Sequence, residues 1–210
     1  SCSVTTDGAR VEVNFPGLSM GMFAGSVRFT SYRGSNLLRM EAIAKTDEQS
    51  VAYKYEAGLK GFSTDLTPRL TWRDRGGDPQ QYEFGGIKND ARVVVKAKNR
   101  VLVAGGGNNG SIATFTPPHV FFFTREVDTN LGYIWYRKDG DTQFGMGVRQ
   151  AEGEENPQYV ENFALHNAPP GTMQRMAVYY LVSPDSAEPT RQAVMAYTHD
   201  DVFKPIPGYK

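Results

Sequence analysis

The sequence predicts an all-β chain: an antiparallel β-sandwich with one short helix near the C-terminal end. Three observations carry that expectation. Apolar and polar residues alternate at period two through most of the chain, the pattern of half-buried strands. Turn residues cut the alternation into strand-length runs, spaced as in sandwiches and barrels. Helical signals gather in a single window, residues 187–199. A length of 210 residues suits one domain, and a hydrophobic share of 40% with 12% aromatics is enough to build a core, which excludes a disordered chain.

Taken in order, Val11, Val13 and Phe15 alternate with Arg10, Glu12 and Asn14, and this strand is expected to stop at Pro16-Gly17. Val27 and Phe29 alternate with Arg28 and Thr30 as far as Arg33-Gly34-Ser35-Asn36. Leu38, Met40, Ala42 and Ala44 oppose Arg39, Glu41 and Lys45, and Val51, Tyr53 and Tyr55 oppose Lys54 and Glu56. Val93, Val95 and Ala97 alternate with Val94, Lys96 and Lys98; Asn99 then offers a turn, so residues 93–104 read as a hairpin.

The run Gly105-Gly106-Gly107-Asn108-Asn109-Gly110 tolerates positive φ and predicts a second tip before a strand over 111–116, which Pro117-Pro118 ends. Residues 120–126 and 132–138 are expected to pair across Asp128-Thr129-Asn130, and Asp139-Gly140 turns the chain into 144–150. Residues 177–182 are apolar on both faces, the mark of a central strand. For the helix, Ser186 suits the cap and Pro189 the first turn. Its two prolines make 204–210 an extended exit from a domain of 1–203, read as a linker into something further.

The 23 basic residues balance the 23 acidic ones, so no overall field draws the chain to nucleic acid. No apolar run approaches the roughly 18 residues of a spanning helix; the densest, Val120-Phe121-Phe122-Phe123, has the length of a strand. Cys2 is the one cysteine, which excludes an intramolecular disulfide and a cysteine-based zinc site.

Chemistry-bearing motifs are sparse. The glycine run lacks the Lys-Ser/Thr and the following helix of a phosphate loop, and it reads as a hairpin tip. Asn109-Gly110-Ser111 matches a glycosylation acceptor, a pattern short enough to occur by chance. His119, His166 and His199 lack the spacing of paired metal ligands, and His199-Asp200-Asp201 reads as a helix end. Asp139-Gly140-Asp141 and Asp128-Thr129-Asn130 lack the full calcium-loop pattern. No metal and no cofactor are therefore expected. No GxSxG elbow occurs, and Glu152, Glu154 and Glu155 read as a solvated loop. Glu161 and His166 are better placed for acid/base work, beside an amide- and aromatic-rich stretch that includes Tyr159.

The most suggestive feature is diffuse. Tyr133, Trp135 and Arg137 share one strand face, with Arg149 and Tyr159 on neighbouring segments, and Trp72-Arg73-Asp74-Arg75 adds a second aromatic-plus-guanidinium cluster. Flat aromatic faces and forked donors suit polyhydroxylated or carboxylate ligands, although aromatic strand residues also build ordinary sandwich cores. The expected ligand-binding set is thus Trp72, Arg73, Tyr133, Trp135, Arg137, Arg149 and Tyr159.

The segments Tyr32-Arg33-Gly34-Ser35-Asn36-Leu37-Leu38-Arg39-Met40-Glu41-Ala42 and Val51-Ala52-Tyr53-Lys54-Tyr55-Glu56-Ala57-Gly58-Leu59-Lys60-Gly61 resemble a β-sandwich region of large, mostly uncharacterised exported bacterial proteins. The ending Ala196-Tyr197-Thr198-His199-Asp200-Asp201-Val202-Phe203 through Gly208-Tyr209-Lys210 fits the same resemblance. The sandwich is similar in style to the galactose-mutarotase-like supersandwich of sugar-active enzymes. The resemblance implies an extracellular or periplasmic module that precedes a further domain. The His and Glu constellation of mutarotases has no residue-by-residue match, so no catalytic residue is carried over. The expected function is a non-catalytic exported module for binding or assembly, with carbohydrate the leading ligand and self-association or other protein domains the further partners. The alternative is a sugar-active enzyme of mutarotase-like fold using His166 and Glu161 as an acid/base pair.

Overall fold

The structure, a computed structural model, describes residues 1–51, 56–85, 91–117, 133–149 and 169–198. Within them the strands are β1 (Ser3–Thr6), β2 (Arg10–Met20), β3 (Phe23–Tyr32), β4 (Leu37–Lys45), β5 (Glu56–Ser63), β6 (Arg69–Arg73) and β7 (Pro79–Glu83); the first three alternating runs fall in β2, β3 and β4, while Tyr53 and Tyr55 of the fourth lie outside the described residues. There follow β8 (Val93–Val95), β9 (Val101–Gly105), β10 (Ser111–Phe115), β11 (Tyr133–Asp139), β12 (Gln143–Arg149), β13 (Gln174–Ser183) and the helix α1 (Ala187–Thr198). The strands form a nine-stranded sheet in the order β1-β2-β3-β4-β13-β10-β9-β6-β7 and a four-stranded sheet in the order β5-β12-β11-β8. Neighbours pair antiparallel throughout. Among the described residues the fold is the predicted antiparallel sandwich with one helix.

Period two decides what each sheet presents to the other. Met40 on β4, Val178 and Tyr180 on β13, Leu102 on β9 and Leu70 on β6 face Ile134 and Tyr136 on β11 and Phe144, Met146 and Val148 on β12. An aromatic stack fills the space between: Phe84 on Phe144 at 4.6 Å, Tyr82 on Tyr136 at 5.1 Å and Phe62 on Phe144 at 5.4 Å. The Tyr180 hydroxyl donates to the Met146 carbonyl, a bond at 3.2 Å that ties the two sheets together. On the other face of the larger sheet, Val101, Val103, Ala113, Phe115 and Leu181 receive Val194 and Met195 of α1. The central strands β9, β10 and β13 are therefore covered twice. That is why residues 177–182 are apolar on both faces.

Two expectations about strands change. The run 93–104 is not a hairpin. β8 belongs to the smaller sheet and β9 to the larger, and the turn Lys98–Arg100 carries the chain across. Asn99 does make the turn, in the left-handed region at φ 59, and Arg100 follows at φ 54. Alternation alone cannot tell a hairpin from a crossing between layers, because both bury every second residue. Nor does β2 stop at Pro16-Gly17: a bulge between Pro16 and Leu18, with Gly17 at φ 75, absorbs the proline and the strand runs on to Met20. The second proposed pair, 120–126 with 132–138, and the exit 204–210 lie outside the described residues, apart from the part of β11 that begins at Tyr133.

Candidate functional site

The two sequence clusters separate onto different sheets. Trp72 and Arg73 end β6 in the larger sheet; Tyr133, Trp135, Arg137 and Arg149 lie on β11 and β12 of the smaller one. Tyr159, Glu161 and His166 lie outside the described residues, as do His119 and His199.

Trp72 points inward, its ring 6.0 Å from that of Tyr136. Trp135 sits on the opposite side of β11 from the inward-facing Ile134 and Tyr136. It pairs with Gly147, which pairs with Gly58, so the indole lies over a floor without side chains. A Cβ on Gly58 would stand 2.3 Å from the indole. Trp135 is 6% exposed, and its Nε1 is buried without a hydrogen-bond partner. Arg137 is exposed, one pleat further along the same face. Arg149 pairs with Tyr133 in the ladder, and its Nε lies 3.8 Å from Glu56, which also takes an ion pair from Arg92. Glu56 borders an apolar cleft of about 460 Å³ that includes Leu18, Phe23, Val27, Ala42 and Met176.

The other cluster opens a more polar site. Arg73 follows Trp72 and so faces the opposite side of the sheet, the side that carries α1. There Arg73, Gly77, Lys98, Asn99, Arg191, Gln192 and Met195 line a cleft of about 470 Å³. A second hollow of about 270 Å³ shares Arg73 and Arg191 and adds Gln80, Gln81 and Glu188. The two make one groove between the β6–β7 hairpin and α1.

Glu188 organises this groove. It sits in the first turn of α1, where a carboxylate favours the helix dipole. Arg191 grips it from one turn on, with Nη2 to Oε1 at 3.1 Å and Nε to Oε2 at 3.2 Å, while Gln192 donates at 2.9 Å. Arg73 reaches it from the sheet at 3.0 Å and donates to the Gly77 carbonyl at 3.4 Å. Desolvation pushes the Glu188 carboxyl up, but the bonds from Arg191, Gln192 and Arg73 outweigh it and hold it down at about 2. Asp74 is committed locally: its carboxylate accepts from the Gly77 and Asp78 amides and from Gln80. The Asp78 amide, first among these, lowers its pKa.

Sequence reading found Arg73 and missed Lys98, Gln80, Gln81, Glu188, Arg191 and Gln192. The spacing of Glu188, Arg191 and Gln192 at i, i+3 and i+4 was the available signal, since it places all three on one helix face. Among the described residues no group of three or more His, Cys, Asp or Glu could hold a metal ion, and no helix is long and apolar enough to cross a membrane.

No family model and no curated protein matches the chain. Solved structures do. One is a provisionally assigned aldose 1-epimerase from Klebsiella pneumoniae, at TM-score 0.52 and 8% identity, matched over 100% of this chain and 61% of that one. A galactose mutarotase-related enzyme from Lactobacillus acidophilus matches at TM-score 0.44 and 10% identity, over 89% of this chain and 72% of that one. An aldose epimerase homologue from C. elegans matches at TM-score 0.40 and 10% identity, over 87% and 68%. The chain thus spans about three fifths of the Klebsiella protein's length, 61%. At such low identity the likeness concerns architecture: this is a galactose-mutarotase-like sandwich fold.

Proposed function

We propose that this chain is a non-catalytic, exported carbohydrate-binding module, with the saccharide laid along the groove between the β6–β7 hairpin and α1. The observation that carries the reading is the convergence of two guanidinium groups, Arg73 and Arg191, with the amides of Gln81 and Gln192 on one open groove. Forked donors and side-chain amides match the alternating donors and acceptors of sugar hydroxyls. The only carboxylate among the described lining residues is unsuited to proton transfer. Glu188 is held ionised at about 2 by Arg191, Gln192 and Arg73, far from the neutral range in which a general acid or base works best. Placement outside the cell rests on the resemblance to exported bacterial proteins.

A glycan array probed with the domain, followed by titration of any hit against Arg73→Ala, tests the reading. Binding that Arg73→Ala weakens supports it; an empty array, or a hit indifferent to Arg73, removes it. A second reading, a sugar-active enzyme with His166 and Glu161 as its acid/base pair, draws on the architecture shared with the Klebsiella protein. Turnover on a panel of aldoses that His166→Ala abolishes without loss of stability favours it.

A further inference from the structure

The two arms of the groove differ in charge among the described residues: the larger is lined by cations, the smaller by amides and a carboxylate as well. Its larger arm holds Arg73, Lys98 and Arg191, with no carboxylate among the described residues that line it. Its smaller arm carries Gln80 and Gln81, and also Glu188, the carboxylate that Arg73 and Arg191 share. Among the described residues three cations and one carboxylate line the groove, and the neighbouring Asp74 is turned to the Gly77 and Asp78 amides. Glu188 accepts from Nη2 of Arg73 and from Nε and Nη2 of Arg191, so each fork keeps further N–H groups for another acceptor. Arg73 and Arg191 are fixed rather than waving: their side chains are 27% and 17% exposed. Lys98 is exposed, and no carboxylate among the described residues pairs with it.

The position of Lys98 is built into the fold. Asn99 and Arg100, next to it, both take left-handed backbone, which is strained for a residue with a Cβ. Arg100 is 2% exposed and donates to the Pro117 carbonyl at 3.2 Å, which anchors the turn. That turn is the same crossing between sheets that brings Lys98 beside Gly77, where a Cβ would meet its Nζ at 3.2 Å.

We infer that the groove takes an acidic saccharide, its carboxylate seated among Lys98, Arg73 and Arg191 and its hydroxyls on the Gln81 side. This rests on the carbohydrate reading and narrows it to one ligand class. A planar carboxylate matches a guanidinium fork, and a lysine adds a mobile third donor.

The test is calorimetric titration of the 210-residue chain with an oligogalacturonate, with the same oligomer methyl-esterified, and with a sulfated oligosaccharide. The expected result is binding of the oligogalacturonate, weakened about tenfold or more by esterification and by Lys98→Gln, since a charge-assisted hydrogen bond is worth that much. Glu188→Gln removes the competing carboxylate and is expected to tighten binding, a result that a merely structural role for Glu188 would not give. Equal binding of the esterified oligomer, or indifference to Lys98→Gln, overturns the acidic ligand and leaves the carbohydrate reading standing. Tighter binding of the sulfated oligomer than of the oligogalacturonate overturns the carboxylate assignment. No binding of any of the three, with an empty glycan array, overturns both readings.

Discussion

The centre of the nine-stranded sheet and its β1–β3 end follow different rules. At β9, Val101, Leu102, Val103, Ala104 and Gly105 are all buried, because the smaller sheet covers one face and α1 the other. At β2 the same ladder chemistry holds, yet Val11 is 40% exposed, Phe15 41%, Leu18 46% and Met20 78%. Near its exposed end this half is held by backbone pairing and by surface charge, with Glu12 between Arg10 at 3.1 Å and Arg28 at 3.3 Å. Surface ion pairs add little, about 0–1 kcal/mol each. Cooperative stability should therefore reside where a strand is covered twice, and the β1–β3 end should be a periphery.

Substitution of large apolar residues is the sharpest way to break that contrast. Phe115, 2% exposed and stacked on Tyr179 with ring centroids 5.5 Å apart, belongs to the doubly covered half. Phe115→Ala is expected to cost about 4 kcal/mol in denaturant unfolding, whereas Met20→Ala should stay within about 0.5 kcal/mol. Comparable losses at the two positions would mean that something covers the β2 end in solution, and the contrast would fall.

Glycines make the same comparison through the backbone. A Cβ on Gly147 would meet the Ala57 carbonyl oxygen at 2.0 Å, so the strands of the smaller sheet would have to part. Gly147→Ala should cost about 3 kcal/mol by overpacking. Gly8, in the turn between β1 and β2, has open space around it and only a φ of +85 to lose, so Gly8→Ala should cost about 1 kcal/mol. A thermal melt separates the two.

Glu41 tests the boundary between the halves, since β4 joins β3 to β13. It is 1% exposed and takes a hydrogen bond from Arg39, with Arg175 at 3.8 Å. A buried carboxylate must keep its cations, so Glu41→Gln should lower stability by about 2 kcal/mol. Rescue by a further Arg39→Met change would show that the cost lies in the stranded guanidinium, and a silent Glu41→Gln would contradict the pairing.

Strand identity was legible from period two because half-covered strands must alternate, as β3 and β4 do. Layer membership was not: Val93 and Leu102 carry the same apolar signal, and only the crossing at Asn99 sends them to different sheets. The Pro16-Gly17 stop was misread for a related reason, since a bulge lets a proline stay inside a strand that its sequence appears to end. At the groove, Arg73 was visible beside an aromatic. Lys98, Arg191 and Gln81 were not, being brought to it from three separate elements by pairings between residues far apart in sequence.

The smallest expected effect is the dependence of stability on pH that the groove itself contributes. Glu188 has an ordinary value of 4.5, and the folded protein holds it at about 2, where bonds from Arg191, Gln192 and Arg73 overcome desolvation. A carboxyl depressed by folding contributes stability that is fully present above its unfolded value and is lost as pH falls through the folded one. The window is therefore pH 4.5 down to about 2. Glu188 is 49% exposed, so water and salt screen the network and the contribution stays small. Because other carboxylates titrate in the same range, the readout is the stability difference between the wild-type chain and Glu188→Gln, followed by denaturant titration at each pH. That difference should be largest above pH 4.5, shrink steadily toward pH 2, and narrow when salt is raised. A difference flat across the window would mean that Arg73 and Arg191 are held without Glu188. The groove would then join the periphery at β2, and the helix would owe its seat on the sheet to Val194, Met195 and the buried hydrogen bond between Thr190 and Ser111.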